Sequence, residues 1–293
     1  MQDILNEIGR PSKIDSPGVK ETGPMSPLGL YELFLFSALA YMLAALLVQL
    51  LMNIQYAVLL RIFKLKFTYL PLGVKFSYIS AARWSDFKIF IVYGLTPLVF
   101  FILGMAILWL LREKKIGYWK FRMFLTWLAF ILIHTIPAGL LAGIGVYDGL
   151  GVAYAWLADS LLIRVMIGIA VIVLIRFYRI FWLTLFLKTA YAGVFFIDFT
   201  NRRVFLTNAF IRPYIMGTIF LVPFVYTSHS LFWGVFLAGL GIIVLPFVSS
   251  EIPNIDLLIV KSDKKIWPMR YPLAYIIPAL ILLWFLSTFS IAF

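Results

Sequence analysis

Gln49, Asn53 and Tyr56 stand at i, i+4 and i+7 inside the first long apolar run of the sequence, Leu28–Phe63. On a helix that spacing places them on one stripe. Amide and phenol groups held in lipid either hydrogen-bond a neighbouring helix or line a pocket. Interhelical polar contacts of this kind are worth about 0.6–2 kcal/mol each and are frequent, so structural bonding is the simpler reading. His134 is the only ionisable group near the middle of a span. Such a residue is a functional candidate by default, although a hydrogen-bonded structural histidine satisfies the same pattern. His229 falls in a link between spans and is expected to be exposed. Asp148 and Asp159 could pair for acid–base work, but they sit in a Gly-rich link with no histidine at metal spacing, which reads as a solvated loop. Arg164, Arg176 and Arg179 are expected to snorkel to headgroups, with a bound anionic lipid as the alternative. Gly139, Gly143 and Gly145 permit close helix approach.

The elements that carry these residues must lie in a membrane. Hydrophobic residues make up 63% of the 293 and charged residues 13%, against about 45–50% and about 25% in soluble domains. Mean hydropathy is +1.00. The net charge of +12 comes largely from short loops between apolar runs, the pattern that headgroups and the positive-inside rule produce; nucleic acid is not expected as a partner. With no cysteine, disulfides, thiolate metal sites, iron–sulfur clusters and cysteine nucleophiles are excluded. Ser–His–Asp, phosphate-loop, dinucleotide-binding and EF-hand patterns are missing as well.

Taken in order, residues 1–27 form a polar, Pro- and Gly-dotted tail that cannot bury enough apolar surface to offset its ordering entropy. No cleaved signal peptide is expected. Residues 28–293 are expected to form a single transmembrane domain. The first span is followed by KLKFTYLPLGVKF, in which Lys64, Lys66 and Thr68 alternate with Leu65, Phe67 and Tyr69 before a break at Pro71–Gly73. That period-two pattern predicts a β-hairpin with its lysines toward phosphates and its apolar face toward lipid or protein. Further spans are expected near 88–111, 121–145, 161–175, 204–226, 231–248 and 271–293, with a polar turn at Asn201–Arg203. The fold class is thus an all-α integral membrane protein of about seven transmembrane helices with one short hairpin. Basic links near 112–122, 176–212 and 261–270 put the N-terminus inside, which leaves the basic hairpin on the opposite side. The expected location is a bacterial cytoplasmic membrane.

Three segments in order resemble the core of the site-2 protease family of intramembrane zinc metalloproteases. Met52–Phe67 is similar to the helix bearing H-E-x-x-H and the hairpin after it. Tyr93–Leu98, YGLTPL, is similar to the second packing motif and keeps Pro97. His134–Gly143, HTIPAGLLAG, is similar to the third motif and keeps Pro137, Leu141 and Gly143. The resemblance implies zinc held by two histidines and an aspartate, with a glutamate base. Here Met52 and Tyr56 stand at the histidine positions, Asn53 at the base and Ala142 at the aspartate. A thioether, a phenol and a methyl group do not make a three-ligand zinc site, and an amide takes no proton at neutral pH.

The resulting expectation is a non-catalytic protein with a protease-like core and no cofactor or metal. It would bind a transmembrane client or a lipid around Gln49, Asn53, Tyr56 and His134. The alternatives are a transporter or channel for a small or lipid-like solute, its sites at spans broken by Pro97, Pro137, Pro223, Pro246 and Pro278, and a structural subunit of an envelope complex.

Overall fold

The structure, a computed structural model, describes residues 27–70, 73–76, 84–113, 119–145, 150–158, 160–187, 189, 199–227 and 291–292. Helix α1 spans Pro27–Ile62. A hairpin follows, β1 (Phe67–Leu70) and β2 (Gly73–Phe76), with Phe67 opposite Phe76 and Tyr69 opposite Val74. A short strand, β3 (Ile291–Ala292), pairs with the other edge of β1.

The second span is built in three pieces: α2 (Asp86–Ile89), a π-helical turn (Phe90–Leu95) and α3 (Thr96–Glu113). Then come α4 (Trp119–Ala142), α5 (Leu150–Leu157) and α6 (Leu161–Leu187). The last described helical run is also tripartite: α7 (Phe199–Leu206), a second π turn (Thr207–Ile211) and α8 (Arg212–Thr227).

Among the described residues, four runs are long and apolar enough to cross a membrane: Gly29–Ile62, Asp86–Leu111, Trp119–Ala142 and Arg203–Leu221. A shorter apolar stretch covers Leu161–Ile175. The chain is therefore a mostly helical integral membrane protein with one small hairpin. The spans expected near 231–248 and 271–293, the tail before residue 27, Asp148, Asp159 and His229 lie outside the described residues. One local expectation is corrected. Asn201–Arg203 belongs to α7 rather than to a turn, as suits a stretch with no Gly or Pro and two arginines, which are good helix formers.

Among the described residues, helix α4 is the centre of the packing. All but a few of its residues from Met123 to Ala142 are buried, and α1, α3, α5 and α6 pack around it. In lipid, helices are drawn together by van der Waals fit rather than by the hydrophobic effect, so small residues sit at the contacts. Ala40, Ala44 and Ala45 lie on the buried face of α1, whereas Leu43, Leu47, Leu51, Ile54 and Val58 form its exposed stripe. Gly104 lets α3 meet α4 closely: a Cβ there would lie 2.8 Å from Ile133 Cγ1 and 3.0 Å from the Ile133 backbone nitrogen.

The hairpin alternates as its sequence predicts. Leu65 and Phe67 are buried, and Lys64 and Lys66 are exposed. Helix α1 stops in a Schellman arrangement, with Leu65 N–H donating to Leu60 O (2.9 Å) and Lys64 N–H to Arg61 O (3.1 Å). Leu60 and Leu65 are both buried there, supplying the apolar contact that accompanies this motif.

Candidate functional site

Each π turn lies just upstream of a proline. A proline in a helix has no N–H to offer and its ring clashes with the carbonyl four residues back. For Pro97 that carbonyl belongs to Tyr93, and for Pro213 to Ala209; both residues lie in the π turns. At both prolines the helix is widened in the turn upstream. Both turns pack against α1, the first near its C-terminal end and the second near its N-terminal end.

The second turn is fastened by other helices. The Ser37 hydroxyl of α1 donates to Ala209 O, and Trp127 Nε1–H of α4 donates to Ser37 Oγ at 2.8 Å. Around this chain the rings of Tyr41, Phe186 and Phe210 lie 4.9, 4.7 and 5.3 Å from the Trp127 ring. The Tyr41 hydroxyl also pairs with Thr218 Oγ1 at 2.9 Å. These buried polar atoms are satisfied inside a dense aromatic layer.

The first turn is held differently. The Thr96 hydroxyl donates to Val92 O of its own helix at 3.0 Å. Across the helix pair, the Thr135 hydroxyl of α4 donates to Leu132 O (2.7 Å), with Pro97 O at 3.4 Å. The Tyr93 ring stacks on Trp84, with centroids 5.9 Å apart, and meets the Tyr56 ring at the same separation.

Gln49, Asn53 and Tyr56 are all buried, at 4%, 4% and 7% exposure, and Met52 between them is at 2%. The stripe predicted from spacing is thus one face of α1 turned inward, toward the side where the first π turn packs. His134 is fully buried. Its Nδ1 lies 2.6 Å from Phe130 O, and its ring is 5.5 Å from the Trp182 ring of α6. Trp182 Nε1 is itself buried with no hydrogen-bond partner among the described residues. The described contacts of His134 thus run toward α6, whereas those of Tyr56 run toward the second span.

Helices α1 and α4 run parallel, because Phe36 meets Trp119 and Tyr41 meets Trp127. With the same rise per residue in both helices, those two contacts carry Met52–Tyr56 to the stretch Thr135–Ala142. Ala142 is buried at 2%. The donor set at these levels, a thioether, a phenol and a methyl group, does not fit zinc. Among the described residues no group of three His, Asp or Glu side chains could hold a metal ion.

Two further expectations change. Arg164 does not snorkel; it is 7% exposed, and the Tyr154 hydroxyl of α5 donates to its backbone carbonyl at 2.7 Å. Burial pushes the Tyr154 phenol above its ordinary range, while the Arg164 charge acts the other way. Gly145 makes no close approach, since a Cβ there would meet nothing within 4 Å; it lies past the end of α4, in the turn. At Gly143 the expectation holds, because a Cβ would lie 2.8 Å from Gly151 Cα. Beside this crossing an open groove of about 740 Å³ is lined by Leu140, Tyr154, Ser160, Ile163 and Ile167. Its mostly apolar wall continues into the exposed apolar face of α6.

Sequence reasoning missed Ser37 and Trp127, and read Tyr93 and Thr96 only as part of the second motif. The available signal was a proline inside an apolar helix, which obliges some neighbour to deal with the carbonyl four residues upstream. Comparison with family models, with curated proteins and with solved structures returned no match to this chain.

Proposed function

We propose that this is a non-catalytic multi-pass protein of a bacterial cytoplasmic membrane, with a core resembling that of the site-2 proteases from which the zinc ligands and the base have been lost. It binds a transmembrane client or a lipid around Gln49, Asn53, Tyr56 and His134. The observation that carries the reading is the inward placement of the replaced positions. Met52, Asn53, Tyr56 and Ala142 are all buried, on two parallel helices, at matching levels. Further support comes from the middle motif, where Tyr93 touches Tyr56 and Pro97 O faces the Thr135 hydroxyl. A buried amide and phenol on one stripe are polar groups of the kind that recognise a membrane-embedded partner, and neither transfers a proton at neutral pH.

Restoring the lost groups tests this. The variant M52H/N53E/Y56H/A142D should take up about one zinc per chain, while the native protein takes up none and leaves a membrane-spanning peptide uncut. Stoichiometric zinc in the native protein, or cleavage by it, contradicts the proposal. So does a quadruple variant that keeps the native helical circular dichroism and thermal transition yet binds no zinc.

A second reading, a transporter for a small or lipid-like solute, is favoured by the two π turns at Pro97 and Pro213, since interrupted helices supply binding backbone in transporters. Liposome flux abolished by changing Asn53 and His134 to alanine would support it; flux that survives both changes leaves that reading without its site.

A further inference from the structure

Lys64 is the one described non-glycine residue with positive φ, at 56°. It occupies the C′ position of the Schellman motif that ends α1, where glycine is the usual residue because it has no Cβ to strain. A lysine there costs backbone energy, so the motif itself does not account for the choice; a charge does.

Its surroundings say what the charge meets. Lys64 and Lys66 are exposed on either side of buried Leu65, and Arg61 is exposed one turn earlier on α1. Directly alongside are apolar side chains open to the outside: Ile62 at 65%, Phe87 at 66% and Val58 at 52% exposure. Trp84 and Trp156 sit at the start of the second span and near it, the latter donating from Nε1 to Asp86 Oδ1 at 2.9 Å. Indole rings of this kind mark the headgroup level. The 36 residues of α1 reach about 54 Å, well beyond a hydrocarbon core of about 30 Å, so its basic end emerges among phosphates.

We infer that Lys64 and Lys66, with Arg61, form a docking site for the phosphate headgroup of an anionic lipid, placed where the apolar belt of α1 and α2 ends. This site is independent of the cleft around Asn53 and stands or falls separately from it.

The test uses the full chain, reconstituted with phosphatidylglycerol or with phosphatidylcholine, and counts retained lipid by native mass spectrometry. The native protein should retain phosphatidylglycerol in preference, and less of it as salt is raised. Lys64→Gly and Lys66→Gln should each weaken that retention about fivefold, the factor corresponding to about 1 kcal/mol per basic residue at a membrane surface, and Lys66→Arg should restore it. Lys64→Gly should also leave the thermal transition unchanged or raised, which a merely structural lysine would not do. Equal retention of the two lipids, retention unaffected by both substitutions, a lowered transition in Lys64→Gly, or displacement of the lipid by millimolar inorganic phosphate would each overturn the assignment.

Discussion

The two π turns are the same device put to different ends. Each absorbs a proline, and each packs against α1. The turn at Thr207–Ile211 is pinned from outside: Ser37 of α1 takes up Ala209 O, Trp127 of α4 takes up Ser37, and four aromatic rings close around the chain. At the turn Phe90–Leu95 the Thr96 hydroxyl donates to Val92 O of its own helix, and the ring of Tyr56 meets Tyr93 from α1. A carbonyl tied to two other helices fixes a scaffold. The inward polar stripe of Gln49, Asn53 and Tyr56 lies at the other end of α1, beside the first turn. The cleft proposed above would lie at that end.

Breaking the pinned end should be costly. Trp127→Ala empties the centre of the aromatic layer and should lose about 3–5 kcal/mol, seen as a lowered thermal transition by circular dichroism in detergent, with a smaller loss for Tyr93→Ala at the first turn. A reversed order would abolish the distinction. Ser37→Ala strands the Trp127 N–H and the Ala209 carbonyl and should cost about 1–3 kcal/mol. Its counterpart Thr96→Ala should cost under about 1 kcal/mol, because the hydroxyl only back-bonds within a helix. Equal losses from the two would show both turns to be scaffold. Gly104→Val should cost about 1–3 kcal/mol by forcing α3 away from α4, and the same change at Gly145, where nothing is near, should be close to neutral.

How much of this was legible beforehand follows from what each segment has to distinguish. The hairpin was, because Lys64, Lys66 and Thr68 alternate with Leu65, Phe67 and Tyr69, and period two has one meaning there. The long helices were, because lipid demands continuous apolar runs. Which face of a helix turns inward was not. Leu43, Leu47 and Leu51 of α1 are exposed while Val48 and Met52 are buried, and nothing in their chemistry separates them once the solvent is itself apolar. The stripe of Gln49, Asn53 and Tyr56 was the exception, since a polar group has a reason to avoid lipid. Arg164 was misread because its neighbour, Tyr154, arrives from a separate short helix that spacing along α6 cannot foretell. The π turns were hidden for a subtler reason. Pro97 and Pro213 announce a disturbance, but only the packed neighbours decide whether a helix kinks, breaks or widens.

The emptied metal cradle is the claim on which the functional reading rests, and the absence of cysteine from the chain makes it directly measurable. In otherwise native protein, still in the membrane, the pairs M52C/A142C and Y56C/A142C are each the only route to an intramolecular disulfide. A bridge needs Cα atoms within about 7 Å and Cβ atoms facing. Mild oxidation should cross-link at least one of the two pairs, with little bridging in a control pair, M52C/L103C, whose second residue faces outward on α3. If both test pairs stay reduced in a protein that retains its thermal transition, the first and third motifs do not meet, and the proposed cleft does not exist.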